Sequence, residues 1–366
     1  METARIPGTD LQVSRIGLGT WAMGGWMWGG TDEQESIRTI HSAIDRGITL
    51  IDTAPAYGFG KSEEIVGKAL AAGGLRQRVS IATKVGLDWS NGQPFRNASR
   101  ARIFAEIDAS LKRLRTDVID IYQVHWPDPM TPLSETADAM GSLFKQGKIR
   151  AIGVSNFTPE QMNEFGLVAP IHSAQPPYNL FEREIEKDVL PYCTWEGIAV
   201  LAYGAICRGL LSGRMKPDTK FEGDDLRRTD PKFQQPRSGQ YLEAVRLLDR
   251  FAQKNYGKRV IHLALRWVLD QPGVTSALWG AASRAARSDR RRDGMDARRQ
   301  RASRDRSDHQ RHHQGSSGTG IHGAARPHPV DCSSSERTRR SRSLRKGLAE
   351  RSWTNSAAGR SEKRLR

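Results

Sequence analysis

Polar side chains of the kinds that carry out catalysis end six short apolar segments of this chain. They are Asp52, Lys84, His125, Ser155–Asn156, Gln175 and Tyr203. Tyr57 follows Asp52 by five residues, in the segment that leaves the same apolar run. If the apolar runs are parallel strands, their carboxyl ends meet at one edge of the sheet and the polar groups converge there. A phenol beside an ammonium and an imidazole can then move a proton onto or off a bound molecule.

The apolar pattern predicts the parallel sheet that these side chains need. Eight runs are typical of strands: Ser14–Gly19, Thr49–Asp52, Val79–Lys84, Ile119–His125, Ile149–Val154, His172–Gln175, Ala199–Ala202 and Val274–Trp279. Segments with helical periodicity separate them, such as Asp32–Arg46, where Asp32 and Glu35 form a candidate capping box, and Ser62–Ala72. Repeated strand–helix units favour an α/β fold of the closed (β/α)8 TIM-barrel type, with a doubly wound sheet as the alternative. Ala4–Val13 predicts a preceding hairpin.

Five segments resemble the aldo-keto reductase family in sequence, order and spacing. They are Leu50–Gly58, Ala82–Gly86, Tyr122–Asp128, Gly147–Phe157 and Gln175–Arg183. The similarity runs from Ile16 to Gly280. It implies a barrel that reduces an aldehyde or ketone, a small-molecule carbonyl substrate, with hydride from NADPH.

The resemblance also implies a catalytic tetrad, which falls on Asp52, Tyr57, Lys84 and His125. Tyr57 is then the general acid in reduction and the base in oxidation. A neighbouring ammonium stabilises a phenolate and should lower the pKa of a tyrosine from about 10. Lys84 would supply that charge, Asp52 would hold Lys84, and His125 would donate a hydrogen bond to the carbonyl oxygen.

A set of cofactor-binding residues follows from the same resemblance. Ser155, Asn156 and Gln175 match the residues that bind the nicotinamide carboxamide, and Tyr203 matches the aromatic residue that stacks on the ring. The other expected cofactor contacts are Gly19, Thr20, Trp21, Asp52, Gly204, Leu210, Ser212 and Gly280. The glycine cluster Gly24–Gly30 lacks the G-x-G-x-x-G spacing, which argues against a Rossmann site.

Three questions stay open at this level. The long connection Cys207–Gln240 is either a loop that closes over the cofactor or an insertion without that role. The tryptophans near the strand ends either line a substrate pocket or pack separately: Trp21, Trp26, Trp28, Trp89 and Trp126. A barrel that binds NADPH as a sensor or channel-associated subunit, with little turnover, is the alternative to an enzyme, because potassium-channel β-subunits resemble this family.

Residues 281–366 differ in composition from the rest of the chain. They hold 23 Lys and Arg residues against 9 Asp and Glu residues, whereas residues 1–280 hold 34 against 32. The formal net charge of +16 therefore belongs almost wholly to this tail. From residue 282 onward there is no Phe or Tyr, and Trp353 is the single Trp. Such a segment cannot offset its ordering entropy, so we predict a barrel over residues 1–280 and a disordered Arg/Ser-rich tail over residues 281–366.

Two further hypotheses concern the tail. A basic arm could bind nucleic acid or anionic lipid, but few aromatic residues accompany the arginines, which disfavours nucleic acid as a partner. Alternatively, the tail is out-of-frame sequence. Read one base later, permissible codons for Ala282–Asp296 allow Leu-Glu-Ala-Ile-Asp-Asp-Val-Met-Gly-Trp, which resembles the way the family continues after its eighth strand. In that case the eighth barrel unit is incomplete, the family's 2′-phosphate residues are lost after Ala281, and the activity of this chain is in question.

The remaining sequence features point to a cytoplasmic protein. Cys193, Cys207 and Cys332 are odd in number and widely spaced, so neither a disulfide framework nor a metal site is indicated. Met1–Leu11 lacks the apolar stretch of a signal peptide, and no apolar run approaches the length of a membrane span. We therefore expect no metal and no membrane partner, while the sequence does not indicate an oligomeric state.

Overall fold

Eight parallel strands close into a barrel in the computed structural model, which describes residues 1–71 and 73–280. In order around the barrel they are β3 (Ile16–Gly19), β4 (Leu50–Asp52), β5 (Ser80–Val85), β8 (Ile121–Val124), β9 (Ile152–Ser155), β10 (Ser173–Gln175), β11 (Ala199–Ala202) and β12 (Val274–Gly280). The ring closes where Ala277 of β12 lies opposite Ile16 of β3. This closure confirms the predicted TIM barrel and excludes the doubly wound sheet.

Helices follow the strands along the chain. They are α1 (Glu33–Asp45), α2 (Lys61–Leu70), α3 (Arg100–Leu114), α4 (Leu133–Lys145), α5 (Pro159–Gly166), α6 (Val189–Glu196), α7 (Arg237–Tyr256) and α8 (Val260–Leu269). The predicted cap of α1 is present, because the Asp32 side chain accepts a hydrogen bond from Glu35 N at 2.8 Å. The Glu35 carboxylate pairs with Arg38. Within the described part of the chain, no helix is long and apolar enough to cross a membrane.

A hairpin precedes the barrel, as the sequence predicted. Strand β1 (Thr3–Arg5) pairs antiparallel with β2 (Gln12–Ser14). Ser14 was expected to open the first barrel strand, but it lies opposite Thr3 in the hairpin, and β3 begins at Ile16. The turn side chains Ile6 and Leu11 are buried in the apolar cluster inside the barrel. The hairpin therefore closes one end of the barrel.

A second hairpin, which was not among the expected elements, lies at the other end of the barrel. Strand β6 (Leu87–Ser90) pairs with β7 (Gln93–Arg96) directly after β5. Asn91 and Gly92 form its two-residue turn, both with positive φ angles, 50° and 73°. Asn-Gly is a strong short-range signal for such a turn. The Asn-Gly signal is present in the sequence, but it lies between a predicted strand and a predicted helix, where only a loop was expected.

The long connection after β11 is hydrogen-bonded to the loop that follows β3, two strands away around the barrel. Asp224 accepts hydrogen bonds from Met27 N at 2.7 Å and from Gly29 N at 3.0 Å. Leu226 N donates to Met27 O at 3.0 Å. The segment Gly223–Leu226 therefore bridges the loops that follow β11 and β3, which favours the closing loop over the insertion without that role.

Several expectations lie outside the described residues. They concern the 281–366 tail, the basic-arm and reading-frame hypotheses, the completeness of the eighth barrel unit, Ala72 at the end of its predicted helix, and Cys332. Cys193 and Cys207 are described, and both are buried free thiols.

Candidate active site

Lys84 lies at the centre of the polar groups inside the barrel. Its side chain is 1% exposed, and its Nζ donates to both carboxylate oxygens of Asp52, at 2.7 and 2.9 Å. The same ammonium donates to Thr53 O at 2.9 Å and lies 3.1 Å from Tyr57 Oη. An ammonium has three protons to donate, and here a carboxylate, a carbonyl and a phenol surround it. Lys84 thus joins a buried negative charge to the phenol of Tyr57.

Close backbone contact between two loops holds Tyr57 at the barrel mouth. A Cβ on Gly24 would lie 2.4 Å from Tyr57 O, and one on Gly58 would lie 2.1 Å from Gly24 O. Gly58 also has a φ of +68°, in the left-handed region. Only glycine at both positions lets the loop after β3 pack against the loop after β4. This backbone-to-backbone contact therefore fixes the position of Tyr57 at the barrel mouth.

Aromatic rings surround the Tyr57 phenol. His125 meets Tyr57 edge to face, with ring centroids 5.8 Å apart, and Trp21 stacks on it at 5.9 Å. Trp28 meets Trp21 edge to face at 5.5 Å. The indole nitrogens of Trp21 and Trp28 are buried and have no hydrogen-bond partner among the described residues. Aromatic rings therefore surround the phenol, and the Trp21 and Trp28 rings carry N–H donors that have no partner among the described residues.

A chain of hydrogen bonds connects the ends of β9, β10 and β11. Tyr203 Oη donates to Asn156 Oδ1 at 3.0 Å, and Asn156 Nδ2 lies 3.0 Å from both His125 O and Ser155 Oγ. Ser155 Oγ donates to Gln175 O at 2.8 Å. Asn156 has a φ of 62°, a left-handed conformation that asparagine tolerates better than most residues. The three predicted carboxamide binders and the predicted stacking residue thus form one connected set.

Gln175 makes a contact that the sequence did not indicate. Its Nε2 donates to Asp52 Oδ2 at 2.8 Å and to Gln123 Oε1 at 3.2 Å. Gln123 Nε2 in turn lies 3.3 Å from Asp52 Oδ2. Asp52, Gln123 and Gln175 are all buried. The structure records no donor to Gln175 Oε1 among the described residues, so that oxygen remains available to a ligand.

A cavity of about 880 Å³ opens above these groups, a size within the roughly 300–1,000 Å³ of small-molecule and cofactor sites. Predicted residues that line it are Gly19, Trp21, Asp52, Tyr57, Tyr203, Gly204, Ser212 and Gly280. Thr20 is not among the lining residues; it is buried, and its hydroxyl is hydrogen-bonded to Asp52 O and Ser62 Oγ. The Leu210 side chain packs in the core, so Leu210 can reach a ligand only through its backbone. Lys84, His125, Ser155, Asn156 and Gln175 lie in the connected groups described above.

Residues 15–289 match the sequence model of the aldo/keto reductase family. This chain belongs to the aldo/keto reductase family. The match confirms the expected family and extends nine residues beyond Gly280. The chain is therefore a member of a family of oxidoreductases that act on carbonyl compounds.

Individual relatives agree with this assignment. The chain is 63% identical over 281 residues to the aldo-keto reductase YhdN of Bacillus subtilis, covering 77% of this chain and 85% of that protein. It is 37% identical to an NADH-specific methylglyoxal reductase of Escherichia coli, over 75% of this chain and 88% of the relative. A glycerol dehydrogenase from Gluconobacter oxydans superposes with a TM-score of 0.72 at 55% identity, over 78% and 88% of the two chains. The holo form of a Bacillus halodurans aldo-keto reductase superposes with a TM-score of 0.65 at 29% identity, over 79% of this chain and 89% of that one.

Burial has the largest effect on the pKa values of three residues of the predicted tetrad, Tyr57, Lys84 and His125. It raises the pKa of Tyr57 well above its ordinary value, and the charge of Asp52 raises it further. Burial lowers the pKa of Lys84, and contact with Asp52 opposes that effect. Burial, followed by the charge of Lys84, holds the pKa of His125 well below its ordinary value. At neutral pH, Tyr57 is therefore protonated and His125 is a neutral imidazole.

This result modifies the sequence-based expectation for Tyr57. The ammonium of Lys84 was expected to lower its pKa. In the folded chain, loss of water around the phenol raises the pKa of Tyr57 instead, and the charge of Asp52 raises it further. Tyr57 thus stays protonated at neutral pH, and its phenolate forms less readily than the sequence suggested.

Gln123 and three arginines along the cavity were not among the expected site residues. Gln123 precedes His125 by two residues and so shares its face of β8, a signal that the period of a strand provides. Arg208, Arg227 and Arg259 line the cavity and pair with Asp230, Asp225 and Asp249 respectively. These arginines lie in or after the long connection, where no strand periodicity marks them.

Proposed function

We propose that this reductase reduces a small aldehyde or ketone with NADPH, and that Tyr57 is the general acid. The observation that carries the proposal is the position of Lys84 Nζ, 2.7 Å from Asp52 Oδ1 and 3.1 Å from Tyr57 Oη. An ammonium at hydrogen-bond distance stabilises the phenolate that remains after a proton is given away. The same contact supports an enzyme over a sensor, because binding a cofactor does not require an ionisable pair behind a phenol.

The balance of the reaction assigns a role to each tetrad residue. When bound, the reduced nicotinamide supplies the hydride that the carbonyl carbon accepts. Tyr57 donates its hydroxyl proton to the carbonyl oxygen, so that the C=O group becomes an alcohol with new C–H and O–H bonds. Lys84 stabilises the Tyr57 phenolate until solvent returns a proton, and Asp52 holds Lys84. His125, as a neutral imidazole, donates a hydrogen bond that orients the carbonyl oxygen.

The connected polar groups suit a nicotinamide carboxamide. Gln175 Oε1 can accept from the carboxamide nitrogen, since its own Nε2 is committed to Asp52. Asn156 is hydrogen-bonded to Ser155 and to Tyr203, and Tyr203 lines the cavity with a flat ring. These features support cofactor binding by Ser155, Asn156, Gln175 and Tyr203.

Selection of NADPH is the finer part of the proposal. Arginines along the cavity favour a polyanionic cofactor, although Arg208, Arg227 and Arg259 each already pair with an aspartate. The Escherichia coli relative is described as NADH-specific, so the two cofactors need direct comparison. A fluorescence titration with NADPH and then with NADH provides it. We expect saturable binding with preference for NADPH, and equal or tighter binding of NADH would overturn that preference.

The substrate that we propose is a short carbonyl compound with a second oxygen. Trp21 and Trp28 line the cavity, and their buried indole N–H groups have no partner among the described residues, so a substrate oxygen that reached them would provide one. Two relatives are named for three-carbon oxygenated compounds, methylglyoxal and glycerol. Methylglyoxal is therefore the first substrate to test, with propanal as the matched control. The proposal requires a larger kcat/KM for methylglyoxal.

We also propose that residues 281–366 are out-of-frame sequence rather than a working basic arm. The family match includes residues 281–289 and leaves residues 290–366 unmatched, so the support for the proposal comes from residues 290–366. DNA reads across codons 279–285 decide the point. An authentic gene that carries the frame of this chain would rule the proposal out, and salt-sensitive binding of random DNA by the tail would support the arm.

A further inference from the structure

Gln123 is a buried side chain at the centre of the barrel to which the proposed mechanism gives no role. Its Nε2 lies 3.3 Å from Asp52 Oδ2, and its Oε1 accepts from Gln175 Nε2 at 3.2 Å. A buried carboxamide needs partners at both of its ends. Gln123 finds them in the carboxylate that holds Lys84 and in a proposed cofactor-binding residue.

The two amides converge on one oxygen of Asp52. Oδ2 accepts from Gln175 at 2.8 Å and from Gln123 at 3.3 Å, besides Lys84 at 2.9 Å, while Oδ1 accepts from Lys84 at 2.7 Å. Lys84 reaches both oxygens only in one orientation of the carboxylate plane. Two amide donors on the same oxygen fix that orientation, because rotation of the carboxylate would break both bonds.

The neighbouring strand provides the space for Gln123. Gly153 of β9 lies directly opposite Gln123 and is also paired with Ser173 of β10. A Cβ on Gly153 would lie 2.7 Å from Gln123 Cγ and 2.6 Å from Ser173 Oγ, closer than real Cβ contacts. Glycine at this position therefore leaves room for the long side chain to reach Asp52.

We infer that Gln123 is a positioning residue that holds the Asp52 carboxylate in the orientation from which it binds Lys84. Gly153 makes the space that this requires. The inference rests on the proposed function, because it gives Gln123 an effect on catalysis through Asp52, Lys84 and Tyr57 in turn.

A loosened Asp52 has a measurable consequence at Lys84. The titratable groups around Lys84 are Asp52, Tyr57, His125, Tyr203 and, from α2, Glu63. Burial lowers the pKa of Lys84, and Asp52 is the largest influence that raises it. Weaker contact with Asp52 lowers that pKa further, so Lys84 loses its proton at a lower pH. Loss of activity on the alkaline side then begins at a lower pH.

The test compares Gln123→Leu with Ser173→Ala in the full-length chain. Ser173 borders the same space, and its hydroxyl has no partner among the described residues. Methylglyoxal reduction is followed from pH 6 to pH 10, and NADPH affinity is measured by fluorescence. For Gln123→Leu we expect kcat to fall about tenfold and the alkaline limb to move down by about one pH unit, the effect of one hydrogen bond to a charged group. The NADPH affinity of Gln123→Leu should stay within about twofold of the wild type. For Ser173→Ala, both the NADPH affinity and kcat at each pH should stay within about twofold, as expected for a substitution that does not affect the site.

Two additional variants keep the test decisive. Gly153→Ala should reproduce the change in the pH profile, since it displaces Gln123 without removing it. Gln123→Met, which has a similar length and no donor, replaces Gln123→Leu if the latter does not fold. A profile of either Gln123 variant that coincides with that of Ser173→Ala would overturn the positioning role.

A crystal structure of the Gln123 variant separates this inference from the proposed function. If the wild type reduces no carbonyl, the proposed function fails. The distances in the variant structure still test whether Gln123 positions Asp52. We expect the Lys84 Nζ–Tyr57 Oη distance to lengthen from 3.1 Å to beyond hydrogen-bond range. An unchanged distance with Asp52 in place would contradict the positioning role.

Discussion

The inside of the barrel has two layers of side chains with opposite chemistry. On three adjacent strands the apolar layer and the polar layer are two residues apart: Leu50 and Asp52, Ala82 and Lys84, Ile121 and Gln123. All are buried, so exposure does not distinguish the layers. Apolar burial stabilises the fold by about 25 cal/mol per Å². Desolvating an ion costs several kcal/mol, which the polar layer recovers only through complete pairing.

The comparison shows how one strand geometry serves two purposes. A step of two residues keeps a side chain on the inward face and moves it from the end closed by the hairpin to the end that opens on the cavity. Stability should therefore depend on both layers, and turnover on the polar layer alone. The following predictions separate these two properties.

Lys84→Met should have the largest effect, because it leaves Asp52 as a buried charge without its counter-ion. We expect the free energy of unfolding to fall by about 3–5 kcal/mol. Turnover should be lost as well. The double variant Asp52→Asn/Lys84→Met removes both charges and should regain most of the stability without turnover. Chemical denaturation and steady-state kinetics measure the two quantities, and recovery of turnover in the double variant would contradict the account.

Leu201→Ala tests the apolar layer. Leu201 is buried beside the hairpin residues inside the barrel, and its truncation leaves a cavity. We expect a loss of about 2–5 kcal/mol in the free energy of unfolding. At a temperature where the variant is folded, kcat should stay near the wild-type value. A large loss of kcat in the folded variant would show that the layers are not separable.

Asp224→Ala tests the bridge between the loops that follow β11 and β3, away from both layers. It removes a carboxylate that accepts from Met27 N and Gly29 N. We expect NADPH to dissociate about tenfold faster, the equivalent of one or two charge-assisted hydrogen bonds. Stopped-flow fluorescence measures the rate, with Asp218→Ala in the same connection as the control. Equal dissociation rates for the two variants would mean that the bridge does not retain the cofactor.

The pH dependence of the two reaction directions should differ modestly. Reduction needs protonated Tyr57, whose pKa is raised by burial, so kcat for reduction should hold through neutral pH. Oxidation of an alcohol needs the Tyr57 phenolate, whose fraction grows as the pH rises toward that raised pKa. We expect the optimum for oxidation to lie at least about one pH unit above that for reduction. Coinciding optima in paired pH profiles would contradict Tyr57 as the shared acid and base.

The strands, and the residues at their ends, could be predicted because the apolar periodicity of a strand and the residue that ends it are both read from neighbouring positions in the sequence. Asp52, Lys84 and Gln175 end apolar runs, and parallel strands must bring such ends together. The bond from Gln175 to Asp52 could not be predicted, since it depends on rotamers across the barrel. Gln123 could have been found from its spacing to His125, but its partners depend on Gly153 of the next strand. The raised pKa of Tyr57 depends on burial, which spacing does not reveal.

Comparison of the wild type with Tyr57→Phe tests the central claim most directly. NADPH-dependent reduction of methylglyoxal is followed at pH 7 by the loss of NADPH absorbance, with NADPH affinity measured in parallel. The account predicts turnover in the wild type and a loss of about 10²–10⁴-fold in the variant, the contribution of a general acid, at unchanged affinity. If the variant turns over as fast as the wild type, Tyr57 is not the proton donor and the proposed mechanism is wrong.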